Sequence, residues 1–302
     1  MKVRLPKENL PYPWPPLPGR SERPVWTGKG FCLGDAWMPI LQYEGGSSGW
    51  TEELTFFHEE TAGEDHFIDK ASREHALEQL HKYVKGRSPV ILEVGCSSGF
   101  LLRSIRENMP QAFLIGADCV SGPLLHLARR IPDVALLQFD LSRCPLPDGS
   151  VDAVVLLNVL EHIEKDQEAV NHVYRILRSG GIAVLEVPAG PHLYDVYDQV
   201  LMHHRRYSLP ALRRLVEAAR LRPLEQSHLG FFLYPGFWWV KRRNRGFLFQ
   251  DGKSQRGVVA QNITRTRKSV LLTFLLRLEM ALGRWASYPL GIRCLMTCRK
   301  EI

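Results

Sequence analysis

The residues PVILEVGCSSGF, at positions 89–100, decide the fold. Val90 to Val94 is a short apolar run interrupted by one acid, Glu93, and it leads straight into a glycine-bearing turn. A strand buried on both faces has this character, because alternation disappears when neither face meets water. Phe100 to Asn108 then places Leu101, Leu102 and Ile105 at helical spacing before Pro110 stops the run. Strand, glycine turn and helix form the repeating unit of open parallel sheets. Gly95 and Gly99 let the main chain approach a ligand where a side chain would stand in the way.

The same alternation continues C-terminally. Residues 112–117 read as a strand ending at Asp118, 124–130 as a helix, and 134–139 as a strand ending at Asp140. Residues 151–158 give a fourth strand, 165–177 a helix closed by Gly180 and Gly181, and 182–187 a fifth strand. Ser208 caps a helix with Pro210 in its first turn and Leu212, Leu215, Val216 and Ala219 on one face. Residues 224–233 and 292–299 supply strands six and seven. The pattern predicts an α/β, Rossmann-like, doubly wound seven-stranded sheet. Upstream, Ala76, Leu77, Leu80 and Val84 predict a helix over 70–84, while 26–63 alternates aromatics with turns such as GGSSG at 45–49 and yields no clear element. Seven of the twenty prolines fall in residues 1–24, so that stretch is expected to lie as a loose arm on the surface. The domain plan is a Pro-rich arm (1–50), a helical cover (51–86), a core (87–233), a basic apolar insertion (234–290) and a final core strand (291–302).

With 302 residues, 45% hydrophobic and 24% charged, the chain is too apolar for general disorder. Its longest strongly apolar run, Leu229 to Val240, is too short to span a bilayer, and the N-terminus lacks a signal-type stretch. Six cysteines without a CxxC pair point to a reduced, cytoplasmic protein. Cys294 and Cys298 share one face of the last strand, which favours core packing. The net charge of +7 is uneven: residues 234–302 hold 14 Lys/Arg against 3 Asp/Glu, and the remainder is acidic. That segment suits an anionic membrane, a phosphorylated substrate or nucleic acid.

Several motifs together sharpen the turn at 95–99. EVGCSSGF, the acid at Asp118, Asp140-Leu141, PLPDGSVDAV (145–154), NVLEHI (158–163) and RILRSGG (175–181) resemble the class I S-adenosylmethionine-dependent methyltransferases, methyltransferase type 11/12-like, over about half of the chain. The resemblance implies a seven-stranded sheet with an antiparallel last strand and S-adenosyl-L-methionine as cofactor. By its implication Gly95, Cys96, Ser97 and Gly99 line the methionine part with Glu93 nearby. Asp118 holds the ribose, and Cys119 or Val120 borders the adenine. Asp140 faces the adenine amino group with Leu141 against the ring, and Asn158 and Val159 form the floor. Ser97 stands where the family usually has the middle glycine.

Methyl transfer needs an aligned nucleophile and, for a hydroxyl or protonated amine, a base, for which histidine is suited at neutral pH. The catalytic candidates are His162, after strand four, and His203 and Tyr207, within the HHRRY segment at 203–207. A similar segment in related enzymes makes His204, Arg205 and Arg206 substrate-binding candidates, and His66 and Arg73 candidates for a cover over the cofactor. His58, Glu59, Glu60, Glu64, Asp65, His66 and Asp69 form an acidic patch whose spacing matches no metal-ligand pattern, so no metal is expected. Ser269 to Arg284 is helical in pattern and apolar nearly all round, so something must cover it: the protein itself, a second subunit in a homodimer, or lipid. Its neighbouring aromatics and arginines suit peripheral contact with the inner face of a membrane.

These features predict transfer of a methyl group from the cofactor sulfonium to an O, N or C nucleophile of a small-molecule, glycan- or lipid-linked acceptor. Nucleic acid ranks lower as a partner, since the basic segment is interleaved with apolar helix. The rivals are a non-catalytic scaffold that binds S-adenosylmethionine and an NAD(P)-dependent oxidoreductase; Glu93 before the turn disfavours the latter, because it would repel a pyrophosphate.

Overall fold

Burial of successive apolar runs builds one large sheet, preceded by a small one. The computed structural model describes residues 11–43, 50–250, 252–266, 269–283 and 285–301. In chain order the elements begin with β1 (Val25–Trp26), β2 (Phe31–Leu33), β3 (Ala36–Met38), β4 (Leu41–Gln42), α1 (Glu52–Ala62) and α2 (Phe67–Tyr83). The alternating part comprises β5 (Val90–Val94), α3 (Phe100–Asn108), β6 (Phe113–Asp118), α4 (Ser121–Arg130), β7 (Ala135–Gln138), β8 (Val151–Leu157), α5 (Asp166–Ile176) and β9 (Leu177–Pro188). Then follow α6 (Val196–Val200), α7 (Leu209–Ala218), β10 (Leu221–Leu229), the insertion helices α8 (Tyr234–Asn244), α9 (Gly252–Thr266) and α10 (Val270–Gly283), and finally β11 (Arg293–Lys300).

The main sheet has eight strands in the order β10-β11-β9-β8-β5-β6-β7-β4. Its central pairings are parallel, and β11 runs antiparallel to both β9 and β10. The direction of winding reverses at β5, which lies between β6 and β8; ligand crevices of open sheets form at such a point, beyond the strand carboxyl ends. All five β5 residues are buried. Val90, Leu92 and Val94 enter one hydrophobic layer and Ile91 the other, as expected of a strand covered on both sides.

The eighth strand corrects the expected seven. Leu41 and Gln42 of β4 pair in parallel with Leu137 and Gln138 of β7, and two residues are too few to carry a strand signature in sequence. The proline-rich segment is also not loose where it is described. Trp14 is only 1% exposed, meets the Phe31 ring edge-on at 5.2 Å, and shares a core layer with Trp26 and Phe31. The Tyr43 hydroxyl donates to the Pro15 carbonyl at 2.9 Å. Extended chain lays these rings along the sheet edge, and their burial outweighs the freedom of a Pro-rich arm. Residues 1–10 and the GGSSG turn lie outside the described residues.

Strand β10 stops at Leu229 rather than running to 233, because Gly230 turns with φ 84° and Pro235 sits in the first turn of α8. Strand β9 begins at Leu177, so Gly180 and Gly181 fall within it rather than closing α5. The insertion is tied to the core by buried polar contacts. Glu279 of α10 accepts from the backbone N–H groups of Gly230 and Phe232 at 2.6 and 3.0 Å. Lys241 of α8 donates to Asp195 at 2.6 Å and Asp198 at 3.1 Å.

Candidate active site

A cavity of about 690 Å³ lies at the carboxyl ends of β5 to β8, roofed by α2 and the insertion helices. The glycine turn shapes its near end. Gly95 has φ 73°, and a Cβ there would come within 2.6 Å of Val159 Cγ2, so this position requires glycine twice over. The Gly95 and Cys96 amides donate to the Ala117 carbonyl at 2.8 and 3.0 Å, tying the turn to β6. Ser97 adopts φ 44°, and its amide donates to Asp118 Oδ2 at 3.1 Å. Asp118 Oδ1 accepts from Val120 N at 3.3 Å. Gly99 shapes the turn from below as the N-cap of α3, with φ 72°, but does not line the cavity.

Acids surround this end. Burial pushes the Glu93 carboxyl well above the usual range, opposed by Arg73, and its Oε2 has no hydrogen-bond partner among the described residues. Burial likewise raises Asp118, against the backbone N–H groups of Ser97, Val120 and Cys119. Asp140 Oδ1 accepts from both the amide and the hydroxyl of Ser142, each at 2.8 Å. Cys119, Leu141, Asn158 and Val159 complete the lining. Asn158, at φ 55°, is held by its side chain donating to Glu186 Oε1 at 3.2 Å. An orphaned buried carboxylate, a turn with no room for a Cβ and a second buried acid one strand away fit a cationic sulfonium nucleoside. Glu93 and the turn would hold its charged end, and Asp118 its ribose.

The far end is built from histidines. His162 and His203 meet edge-on with ring centroids 4.7 Å apart, and Trp50 covers His162 at 4.4 Å. His203 Nδ1 lies 2.8 Å from Asp198 Oδ1. Burial pulls the Asp198 carboxyl up, but Lys241, the His203 hydrogen bond and Arg206 outweigh it and hold the group well below the usual carboxylate range. Asp198 is therefore ionised and can only accept, so Nδ1 carries the proton and Nε2 is the basic nitrogen. Burial keeps the imidazole below its ordinary value, assisted by Arg206 and Lys241 and opposed by Asp198, so it is neutral at pH 7. Glu161 is wholly buried beside this pair. Neither of its oxygens accepts from another described residue, and burial pushes its carboxyl up to about 8. One ligand atom each from Glu161, His162 and His203 lies within 4.8 Å of the others, a grouping with the donor chemistry of a divalent metal that the sequence spacing gave no sign of.

The remaining candidates divide. His66 and Arg73 line the cavity; His66 pairs with Asp69 at 3.2 Å, and Arg73 donates to the Glu64 carbonyl and lies 5.6 Å from the Phe100 ring. Arg206 also lines it, but its guanidinium is bound to Asp198 and to the Ala189 carbonyl, both at 2.8 Å. His204 is exposed, Arg205 pairs with Asp166 at 2.6 Å, and the Tyr207 hydroxyl donates to Asp166 at 2.8 Å. None of these three lines the cavity: Arg205 and Tyr207 are both drawn to Asp166, and His204 faces solvent. In the acidic patch Asp69 pairs with Arg293 and Glu64 with Arg103; the side chains of His58 and Glu59 lie outside the described residues. Sequence reasoning missed Trp50, Glu161, Asp198 and Lys241. For Asp198 a signal existed: Asp195 and Asp198 form a capping box on α6, a D-x-x-D spacing that marks a helix start.

The methyltransferase domain family matches residues 92–185. The Mycolicibacterium smegmatis protein named "Probable S-adenosylmethionine-dependent methyltransferase" is 29% identical over 56% of this chain and 64% of its own length. The demethylmenaquinone methyltransferase of Thermus thermophilus is 33% identical over 36% of this chain and 54% of its own. The chain thus spans about half to two thirds of the length of these relatives. Among solved structures, phosphoethanolamine N-methyltransferase 2 of Haemonchus contortus, in complex with S-adenosylmethionine, aligns with a TM-score of 0.54 at 14% identity, over 85% of this chain and 59% of that one. The [4+2]-cyclase SpnF aligns with a TM-score of 0.50 at 18% identity, over 76% of this chain and 81% of that one; likeness at this level shows the fold alone. Residues 92–185 thus match a methyltransferase domain, and the chain is similar in sequence to S-adenosylmethionine-dependent methyltransferases.

Proposed function

We propose that the chain methylates an apolar, lipid- or glycan-linked acceptor whose nucleophile sits at the histidine end of the cavity. One observation carries this reading: the same cavity is lined by the acid-bearing glycine turn, by the His162–His203 pair and by Phe237, Trp239 and Leu272 of the insertion. S-adenosylmethionine, when bound, supplies the methyl group on a sulfonium centre. The protein's work is to bind, align and dry the site. Glu93 and the turn hold a cation, Asp118 the ribose, and the apolar wall excludes water while admitting an apolar acceptor.

His203 is the group we assign to take the acceptor's proton. Its Nε2 is unprotonated at neutral pH, and Asp198 stabilises the imidazolium that forms. Glu161, holding a proton below about pH 8, can donate a hydrogen bond to the acceptor from the same end. Tyr207 has no part in the chemistry on this reading, being bound to Asp166 outside the cavity.

The test uses methyl-labelled S-adenosylmethionine with fractionated extract. Label entering the organic-soluble or glycan fraction, with S-adenosylhomocysteine released, is the expected result. His203→Ala should lower kcat roughly 100-fold or more while cofactor affinity stays within about twofold. The activity should also fail in acid below the ordinary histidine range, as the imidazole protonates. Cofactor binding without S-adenosylhomocysteine from any fraction would instead establish a scaffold.

A further inference from the structure

The insertion presents an outer face that the fold leaves uncovered. Helix α10 turns Leu276 and Glu279 inward, yet Leu271, Phe274, Leu278 and Leu282 recur at spacings of three and four on the opposite side. Leu271 is 66% exposed and Phe274 60%, and just beyond the helix Trp285 is 90% exposed. Helix α8 adds Trp239, 59% exposed, with the Arg243 guanidinium 5.3 Å from its ring, and Trp238 with Arg242 at 5.6 Å. Isolated apolar side chains on a surface need no explanation, but a stripe of this length along one helix does.

We propose that this face docks on the surface of an anionic lipid bilayer and that the acceptor enters the cavity from it. Charge selects the occupant. Of the 14 Lys/Arg in residues 234–302, Lys241 and Arg293 are taken up by core acids, but Arg242, Arg243, Arg245 and Arg277 of the insertion are exposed, and Glu279, one of only 3 Asp/Glu, is buried on the inner side. A second copy would bring two strongly basic surfaces together, whereas anionic headgroups attract them. Tryptophans flanked by arginines match the headgroup layer, where rings and cations are both satisfied. No helix among the described residues is long and apolar enough to cross a membrane, so the contact is one of lying on the surface.

The cavity reaches both helices of this face. Trp239 and Leu272 line the cavity, while Trp239 itself is exposed and Leu272 follows Leu271 of the outer stripe. An acceptor with an apolar tail can therefore place its polar end near His203 while its tail remains in lipid. This step rests on the proposed methyl transfer, but the docking itself does not.

The experiment is sedimentation of the full chain with vesicles of phosphatidylcholine alone or with about one third phosphatidylglycerol, at low and high salt. Binding at least about tenfold tighter to the anionic vesicles, and weakened by salt, is expected. The double variant Leu271→Asp/Phe274→Asp should lose about tenfold or more in vesicle affinity, and Arg242→Glu/Arg243→Glu should lose the anionic preference. Calorimetry with S-adenosylmethionine on each variant serves as the folding control and should be unchanged. Equal failure to bind either vesicle would overturn the proposal. So would a dimer in light scattering that Leu271→Asp/Phe274→Asp dissolves without any vesicle binding. Absence of cofactor binding in the unaltered chain would sink the methyl-transfer reading and leave the vesicle result standing.

Discussion

Single residues near the glycine turn carry two duties at once. Asp118 is placed to hold a ribose, and the same carboxylate receives the Ser97 and Val120 amides that keep the turn in shape. Asp118→Ala should therefore weaken S-adenosylmethionine binding by about 1–3 kcal/mol, roughly fivefold to 150-fold, as read by titration calorimetry. Unchanged affinity would remove Asp118 from the site. Ser97 shows how a departure from the usual glycine is accommodated: at φ 44° a non-glycine residue is strained, and the hydrogen bond from its amide to Asp118 holds it there. The turn was legible in sequence because its residues are contiguous. The HHRRY segment was legible as a motif but not in its parts, since only placement separates His203 and Arg206, at the cavity, from His204, Arg205 and Tyr207, away from it.

At the scale of elements, the insertion behaves as a fitted roof. Its apolar contacts to α2 run through Phe67, Ile68 and Ala71 against Leu276, and its charged anchor is Lys241 between Asp195 and Asp198. Removing the ammonium leaves the buried Asp195 carboxylate without its cation, while Asp198 keeps Arg206 and His203. Lys241→Ala should cost about 3–5 kcal/mol in urea unfolding and open the 244–270 region to limited proteolysis. A loss below about 1 kcal/mol would mean that α8 is held by packing alone. The sequence marked the insertion by its basicity and aromatics, but the pairing of Lys241 with acids more than forty positions earlier is a product of the fold.

For the whole molecule, buried acids set the response of stability to pH. Glu161, raised to about 8, is protonated more readily folded than unfolded, so stability rises as pH falls from about 8 toward the ordinary glutamate value. Asp198, depressed by Lys241, His203 and Arg206, acts the other way: its contribution is complete above the ordinary carboxylate range and is lost as pH falls below it. Thermal melts should show the first trend between about pH 8 and 5 and the second in stronger acid, and Glu161→Gln should flatten the first alone. An unchanged slope in that variant would assign the rise to other groups.

What the sequence determined by itself is the alternating core from residue 88 onward, with its glycine turn and the acids at 93, 118 and 140, because buried parallel strands and the turns that end them are written in neighbouring residues. Tertiary structure alone decided the rest. Trp14 became core, Leu41 and Gln42 became an eighth strand, and Glu161, Asp198 and Lys241 converged on one end of the cavity. Those outcomes depend on contacts between distant segments and on the burial they impose, and local periodicity records neither.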